Sequence, residues 1–283
     1  MPTQSNEVLA EQEAYRSYFN AQVSQLMSRM WGGNLHMGLF VEQGEALATA
    51  QYRLKDHIVA ALKLSPGDRV IEVACGVGTT AIHLARSAEV EVLATNISEH
   101  QLAEARARAG EAGINDRVTF DFGDFHLLPE PDKSCDAWIC QEALLYARDR
   151  QQVFAEARRV VRPGRRLLFT DLTLSDDMPD DDREGLIRHV RAPFLWSVDT
   201  YDRFIAQMGF IVHERIESTQ NAEWTFAAVL HNLQALESKF RPRLGDQMFE
   251  EARTRIERQY EAARAGYLGW CLYCLEATVG EVR

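Results

Sequence analysis

Short apolar runs rich in β-branched residues alternate along this chain with longer stretches whose apolar positions recur at helical spacing. Val70, Ile71 and Val73 form the first clear run, without a polar alternation, as in a strand buried on both faces of a parallel sheet. Runs at 90–96, 118–122, 135–140 and 167–171 predict strands two to five; 210–218 alternates as a sixth, and 267–276 reads as the last. Helices are predicted at 11–30, through Tyr15, Phe19, Leu26 and Met30, and at 45–62, through Ala50, Leu54 and Ile58. Others cover 98–113, opened by a capping box with Ser98 and Gln101, and a segment capped by Asp149 and closed by Arg162, Pro163 and Gly164. A helix at 200–208 ends at Gly209, and two more fill 223–264 with an interruption around Pro242 and Gly245. Strands alternating with helices give an α/β, doubly wound sheet. The acidic stretch 175–182 is expected to be a solvated loop, and the aromatic stretch 194–196 to pack over a cleft.

The turn after the first strand carries the chemistry. Gly76 and Gly78 let the backbone turn tightly and leave no Cβ in the way of a ligand, while Thr79 and Thr80 open a helix whose N–H groups face the same spot. Glu72 ends the strand with a carboxylate able to accept from an ammonium group, and Asn96 ends the second strand where a ribose-binding residue falls in a dinucleotide fold. The loop lacks a third close-packing glycine and a lysine. A compact zwitterion carrying ribose and adenine therefore fits it better than a pyrophosphate.

Bulk properties narrow the partners. A net charge of −11 on 283 residues, with no basic stripe, argues against a nucleic-acid substrate. No apolar run approaches the ~20 residues of a membrane span, and the polar start is unlike a secretory signal, so a cytoplasmic protein is expected. The five cysteines read as buried thiols; Cys271 and Cys274 have redox-motif spacing but would face opposite sides of a strand. No metal set appears, since His83, His100 and His126 stand alone rather than at ligand spacing.

The segment from Glu72 to Gly78 resembles the first motif of class I S-adenosylmethionine (SAM)-dependent methyltransferases, with Ala74 where glycine is usual. Five more segments agree in order, at 94–98, 123–125, 140–143, 160–164 and 167–171. With those at 31–38 and 266–270 they resemble the sarcosine/dimethylglycine N-methyltransferase branch and other natural-product methyltransferases. The resemblance implies a seven-stranded Rossmann-like sheet with the last strand antiparallel. It also implies an N-terminal helical lid (1–62) and a SAM-binding domain (63–283) with cap segments at 176–198 and 221–265. It places SAM, and its product S-adenosylhomocysteine, against Tyr18, Trp31, Glu72, Ala74, Gly76, Gly78, Asn96, Ile97, Gln101, Asp124, Phe125 and Gln141. Asp124 would accept from the adenine amino group, with Phe125 against the ring.

Methyl transfer from SAM is mostly alignment, with the acceptor atom about 3 Å from the methyl. A base is needed only if the acceptor loses a proton, and His36, Glu142 and Tyr146 are the candidates. Tyr146 stands where related enzymes often carry His. Aromatics at Trp31, Phe40, Phe194, Trp196, Trp224 and Phe226 suit a flat apolar acceptor, so the leading expectation is C- or N-methylation of an indole-type or related nitrogen-containing natural product. The alternative is N-methylation of sarcosine or dimethylglycine towards betaine, which needs a cation for the acceptor carboxylate, with Arg188 and Arg191 as candidates. A non-catalytic SAM-binding module is a third. The expected partner is a small-molecule acceptor, without nucleic acid or membrane; a homodimer stays open.

Overall fold

The computed structural model describes residues 22–190 and 192–277. Helices α1 (Gln22–Met30) and α2 (Leu47–Leu62) precede β1 (Arg69–Val73), α3 (Thr79–Ser87), β2 (Glu91–Asn96), α4 (Glu99–Ala112) and β3 (Val118–Phe122). Then come β4 (Cys135–Gln141), a 3-10 turn (Leu144–Tyr146), α5 (Arg150–Val160) and β5 (Val161–Leu174). The chain continues through α6 (Asp180–Val190), α7 (Val198–Gln207), β6 (Phe210–Glu217), α8 (Thr219–Leu244), α9 (Asp246–Arg264) and β7 (Leu268–Ala277).

The seven strands form one sheet in the order β3-β2-β1-β4-β5-β7-β6. β1 to β5 run parallel, and β7 inserts antiparallel between β5 and β6. The two faces carry separate apolar clusters, one centred on Trp138, Phe154, Phe169 and Tyr273, the other on Leu54, Leu84, Phe226 and Trp270. This is the doubly wound arrangement expected of non-alternating buried strands. Cys271 and Cys274 fall in different clusters and all five cysteines are free, so their spacing reflects opposite faces of β7.

Three expectations need correction. The acidic stretch is only in part a loop: Asp180, Asp181 and Asp182 form the first turn of α6, where the exposed N–H groups of a helix favour negative charge. Arg162, Pro163 and Gly164 do not close a helix; they lie within β5, which starts at Val161 and runs to Leu174, well beyond the apolar run at 167–171 on both sides. Phe194 and Trp196 do not cover the cleft. Both rings lie 4.4 Å from the buried Arg150 guanidinium and pack against it at the start of α5.

α8 and α9 form an antiparallel pair broken at Gly245, whose φ of +80° suits glycine. α9 also packs on α6, and α1 on α8, so these four helices roof the carboxyl ends of the parallel strands. No helix among the described residues is long and apolar enough to cross a membrane.

Candidate active site

A cavity opens where the strand order reverses between β1 and β4, the usual ligand position in an open α/β sheet. Its floor is the turn after β1. Ala74 and Gly76 have φ of +53° and +56°, and a Cβ on Gly76 would meet nothing within 4 Å, so this backbone faces open space. Gly78 has a different use. A Cβ there would lie 2.5 Å from the Phe120 ring, and the residue lets α3 pack on β3 rather than lining the cavity. Glu72 sits just below the floor, fully buried; burial pushes its carboxyl up to about 8, and Oε2 has no hydrogen-bond partner among the described residues.

The ends of β2, β3 and β4 build one half of the cavity. Asn96 donates from Nδ2 to the Gly76 carbonyl at 3.3 Å and to Gln101 Oε1 at 2.8 Å, and the Gln101 amide nitrogen is buried without a partner among the described residues. Thr80 donates to Gln141 Oε1 at 2.7 Å and so turns the Gln141 amide nitrogen, also without a partner among the described residues, towards the same space. Asp124 follows β3. Burial would raise its carboxyl, but hydrogen bonds from the His126 ring and backbone, with the Arg148 charge, outweigh it and hold Asp124 at about 2. Ile97 and Phe125 complete this wall.

The other half is apolar. The segment after α1 contributes Trp31, Leu35 and Met37; α8 gives Phe226, whose ring meets Trp31 edge-on at 6.0 Å, and α9 gives Ile256. At its junction with the polar half stands Glu142, immediately after β4. Its backbone is in the left-handed region (φ +43°), unusual for a residue with a Cβ and a feature that clusters at functional sites. Its Oε1 accepts from the Trp270 indole at 2.7 Å and its Oε2 from the Met37 N–H at 3.3 Å. Burial pushes this carboxyl up to about 7. Tyr146 reaches the cavity from the 3-10 turn that follows.

The segment after α1 is tethered to the core and also lines the cavity. Gln51 of α2 donates to the carbonyls of Trp31 (3.2 Å) and His36 (2.8 Å) and accepts from Asn34 (2.9 Å), while Arg108 of α4 donates to Gly33 O at 3.1 Å. That tether turns Trp31 and Met37 to the cavity and His36 away from it. The His36 Nδ1 lies 2.8 Å from the Met37 carbonyl, and burial pushes the ring down to about 4. The structure therefore does not bring His36 to Tyr146. Tyr18 lies outside the described residues, and Phe40 packs edge-on against Trp224 away from the cavity. Sequence reading missed Arg148, which holds Asp124, and the α9 wall of Arg255, Ile256 and Gln259. Their spacing at i, i+1 and i+4 marks one helical face, yet only the fold shows what that face meets.

The residues suit SAM: two buried amide donors, Gln101 and Gln141, and the Asp124 carboxylate face one cavity with the open backbone at Gly76, above a Glu72 oxygen that has no hydrogen-bond partner among the described residues. A family model described as a methyltransferase domain matches residues 70–164. Methyltransferase GfsG of Streptomyces halstedii is 31% identical over 252 residues, 87% of this chain and 89% of that protein. This chain belongs to the class I SAM-dependent methyltransferases. Among other members of the family, a sarcosine/dimethylglycine N-methyltransferase of Aphanothece halophytica is 28% identical over 244 residues, 86% of this chain and 88% of the relative. The cyclopropane synthase MmaA2 of Mycobacterium tuberculosis shares the fold, with a TM-score of 0.84 over 94% of this chain and 98% of that one at 18% identity. As in other methyltransferases of this class, the cofactor is SAM, and among the described residues no His, Cys, Asp and Glu cluster is built for a metal.

Proposed function

We propose that this methyltransferase acts on a flat, mainly apolar small molecule that gives up a proton, with an indole-type or related nitrogen-containing aromatic natural product, methylated at carbon or nitrogen, as the class of acceptor. One observation carries the reading: a buried carboxylate, Glu142, stands at the boundary between the cofactor half and an aromatic acceptor half. SAM supplies a methyl on a cationic sulfur and needs little activation. Trp31, Phe226 and Met37 hold an aromatic ring by packing and exclude water. Glu142, anchored by Trp270 and Met37, takes the acceptor proton, and near-neutral basicity suits that task at cellular pH. Tyr146 donates to or relays from the same centre.

A second reading, N-methylation of sarcosine or dimethylglycine, is favoured by Arg255 and Gln259 on the acceptor wall, a cation and an amide able to meet an acceptor carboxylate. Arg188 lies in the adjoining outer groove rather than in the cavity, and Arg191 is outside the described residues. The apolar character of the remaining wall weighs against so small a zwitterion. Incubation with labelled SAM and a panel of indoles, aromatic amines, sarcosine and dimethylglycine decides between them. Turnover of indoles or aromatic amines is the expected outcome; turnover of the betaine precursors alone sinks the aromatic reading.

A further inference from the structure

Asp124 is held by an arrangement that reaches across two loops. Both bonds from His126 fall on one oxygen: Asp124 Oδ1 accepts the His126 backbone N–H at 2.9 Å and the ring Nδ1 at 2.6 Å. The far ring nitrogen, Nε2, accepts the backbone N–H of Asp149 at 3.4 Å, which requires that the proton of the neutral ring sit on Nδ1. The ring is thus a donor to Asp124 by construction. Asp149 is itself the N-cap of α5, accepting from Gln152 N at 3.0 Å, and the Gln152 side chain donates back to the His126 carbonyl at 3.2 Å. The same turn supplies Arg148, whose Nη2 donates to Asp124 Oδ2 at 3.2 Å. His126 is buried and stacks on Phe125, with centroids 4.7 Å apart and planes at 27°.

We infer that His126 is a cofactor-positioning residue: it locks the rotation of the Asp124 carboxylate so that Oδ2 faces the adenine amino group, and it ties that carboxylate to the turn bearing Tyr146. The inference rests on the reading of Asp124 as the adenine acceptor. A carboxylate on a free χ2 would present either oxygen over a wide arc, whereas two donors on Oδ1 leave one orientation. The stacked Phe125 ring is held by the same imidazole, so the edge and the face of the base share one support. Because Arg148 and Asp149 lie two and three residues beyond Tyr146, the adenine end and the acceptor end of the cavity are joined by a single short turn.

The test compares two ligands in full-length protein by calorimetry: S-adenosylhomocysteine and its purine-riboside analogue, which lacks only the 6-amino group. Wild-type protein is expected to prefer the amino-bearing ligand by about 10- to 100-fold, the worth of a stranded buried partner. His126→Ala should reduce that preference to within about 3-fold of unity. His126→Asn, whose amide N–H falls where Nδ1–H was, should keep it at about 10-fold or more, while His126→Gln, which places its amide beyond reach, should lose it. A role in stability alone predicts lower melting temperatures with both ligands weakened equally, and that result overturns the inference. So does full preference in His126→Ala or, should that variant not fold, equal preferences in the Asn and Gln variants. Absence of any preference in the wild type would instead reject the adenine role of Asp124, and is seen before any His126 variant is made.

Discussion

The two halves of the cavity are made differently. The cofactor half is a set of strand ends from one continuous stretch, with polar side chains pre-oriented by neighbours: Asn96 by Gln101, Gln141 by Thr80, Asp124 by His126 and Arg148. The acceptor half is gathered from α1, the segment after it, α6, α8 and α9, and apart from Glu142, Tyr146, Arg255 and Gln259 it offers mainly apolar surface. A ligand of fixed structure can be met by fixed hydrogen bonds on a rigid sheet. A ligand that varies among relatives is met by side-chain shape on helices and on the segment between them.

The comparison breaks most visibly at Glu142, the polar group on the boundary. Glu142→Gln is expected to cut kcat by about 10²- to 10⁴-fold while leaving SAM affinity within about 3-fold, as measured by single-turnover rate and calorimetry. In the wild type, kcat should fall as pH drops below about 7, because the base works deprotonated and burial holds it there. A pH profile flat from 5 to 8 would remove it as the base. Asp124→Ala addresses the other half: a loss of about 1–3 kcal/mol in S-adenosylhomocysteine binding, with the acceptor KM unchanged at saturating SAM. Tyr146→Phe should lower kcat by about 10-fold, one hydrogen bond's worth of ~1.4 kcal/mol, without weakening SAM; equal turnover in the folded fraction would make Tyr146 structural.

Ile256→Val, a change costing about 0.5–1.5 kcal/mol in a core, should raise the acceptor KM a few-fold and leave SAM binding untouched. The smallest effect concerns stability. Burial raises Glu72 to about 8, Glu142 to about 7 and Asp171 to about 6. Each therefore binds its proton more tightly folded than unfolded, so its contribution is complete below the unfolded value and declines as pH rises through the folded one. Melting temperature of the unliganded protein should fall between about pH 5 and 8, less steeply in Glu72→Gln.

How much was legible follows the same division. The β1 turn, the ends of β2 to β4 and the sheet could be read because strand runs, glycines and cap residues act within a few positions of one another. The α9 wall could not, since a helix of 19 residues with charges on most faces does not say which face meets a cavity. His36 stands out in the sequence for its crowded, aromatic neighbourhood, while His126 has no residue at metal-ligand spacing and reads as solitary. Its partners are a carboxylate two residues earlier and a backbone N–H at the N-cap of α5. The aromatic pair Phe194 and Trp196 shows the opposite error, since a buried arginine needed covering and composition alone cannot separate that need from a ligand's.

Arg255, Ile256 and Gln259 project from one face of α9, whose other faces carry ion pairs such as Arg253 with Glu250 and Glu257, so this wall of the cavity stands on a helix rather than on a strand of the sheet. On the proposed assignment, substitutions there change the shape of the acceptor chamber and leave the strand ends of the cofactor half in place. Descent with new substrates then asks for few compensating changes, and a lineage can alter what it methylates one helix position at a time.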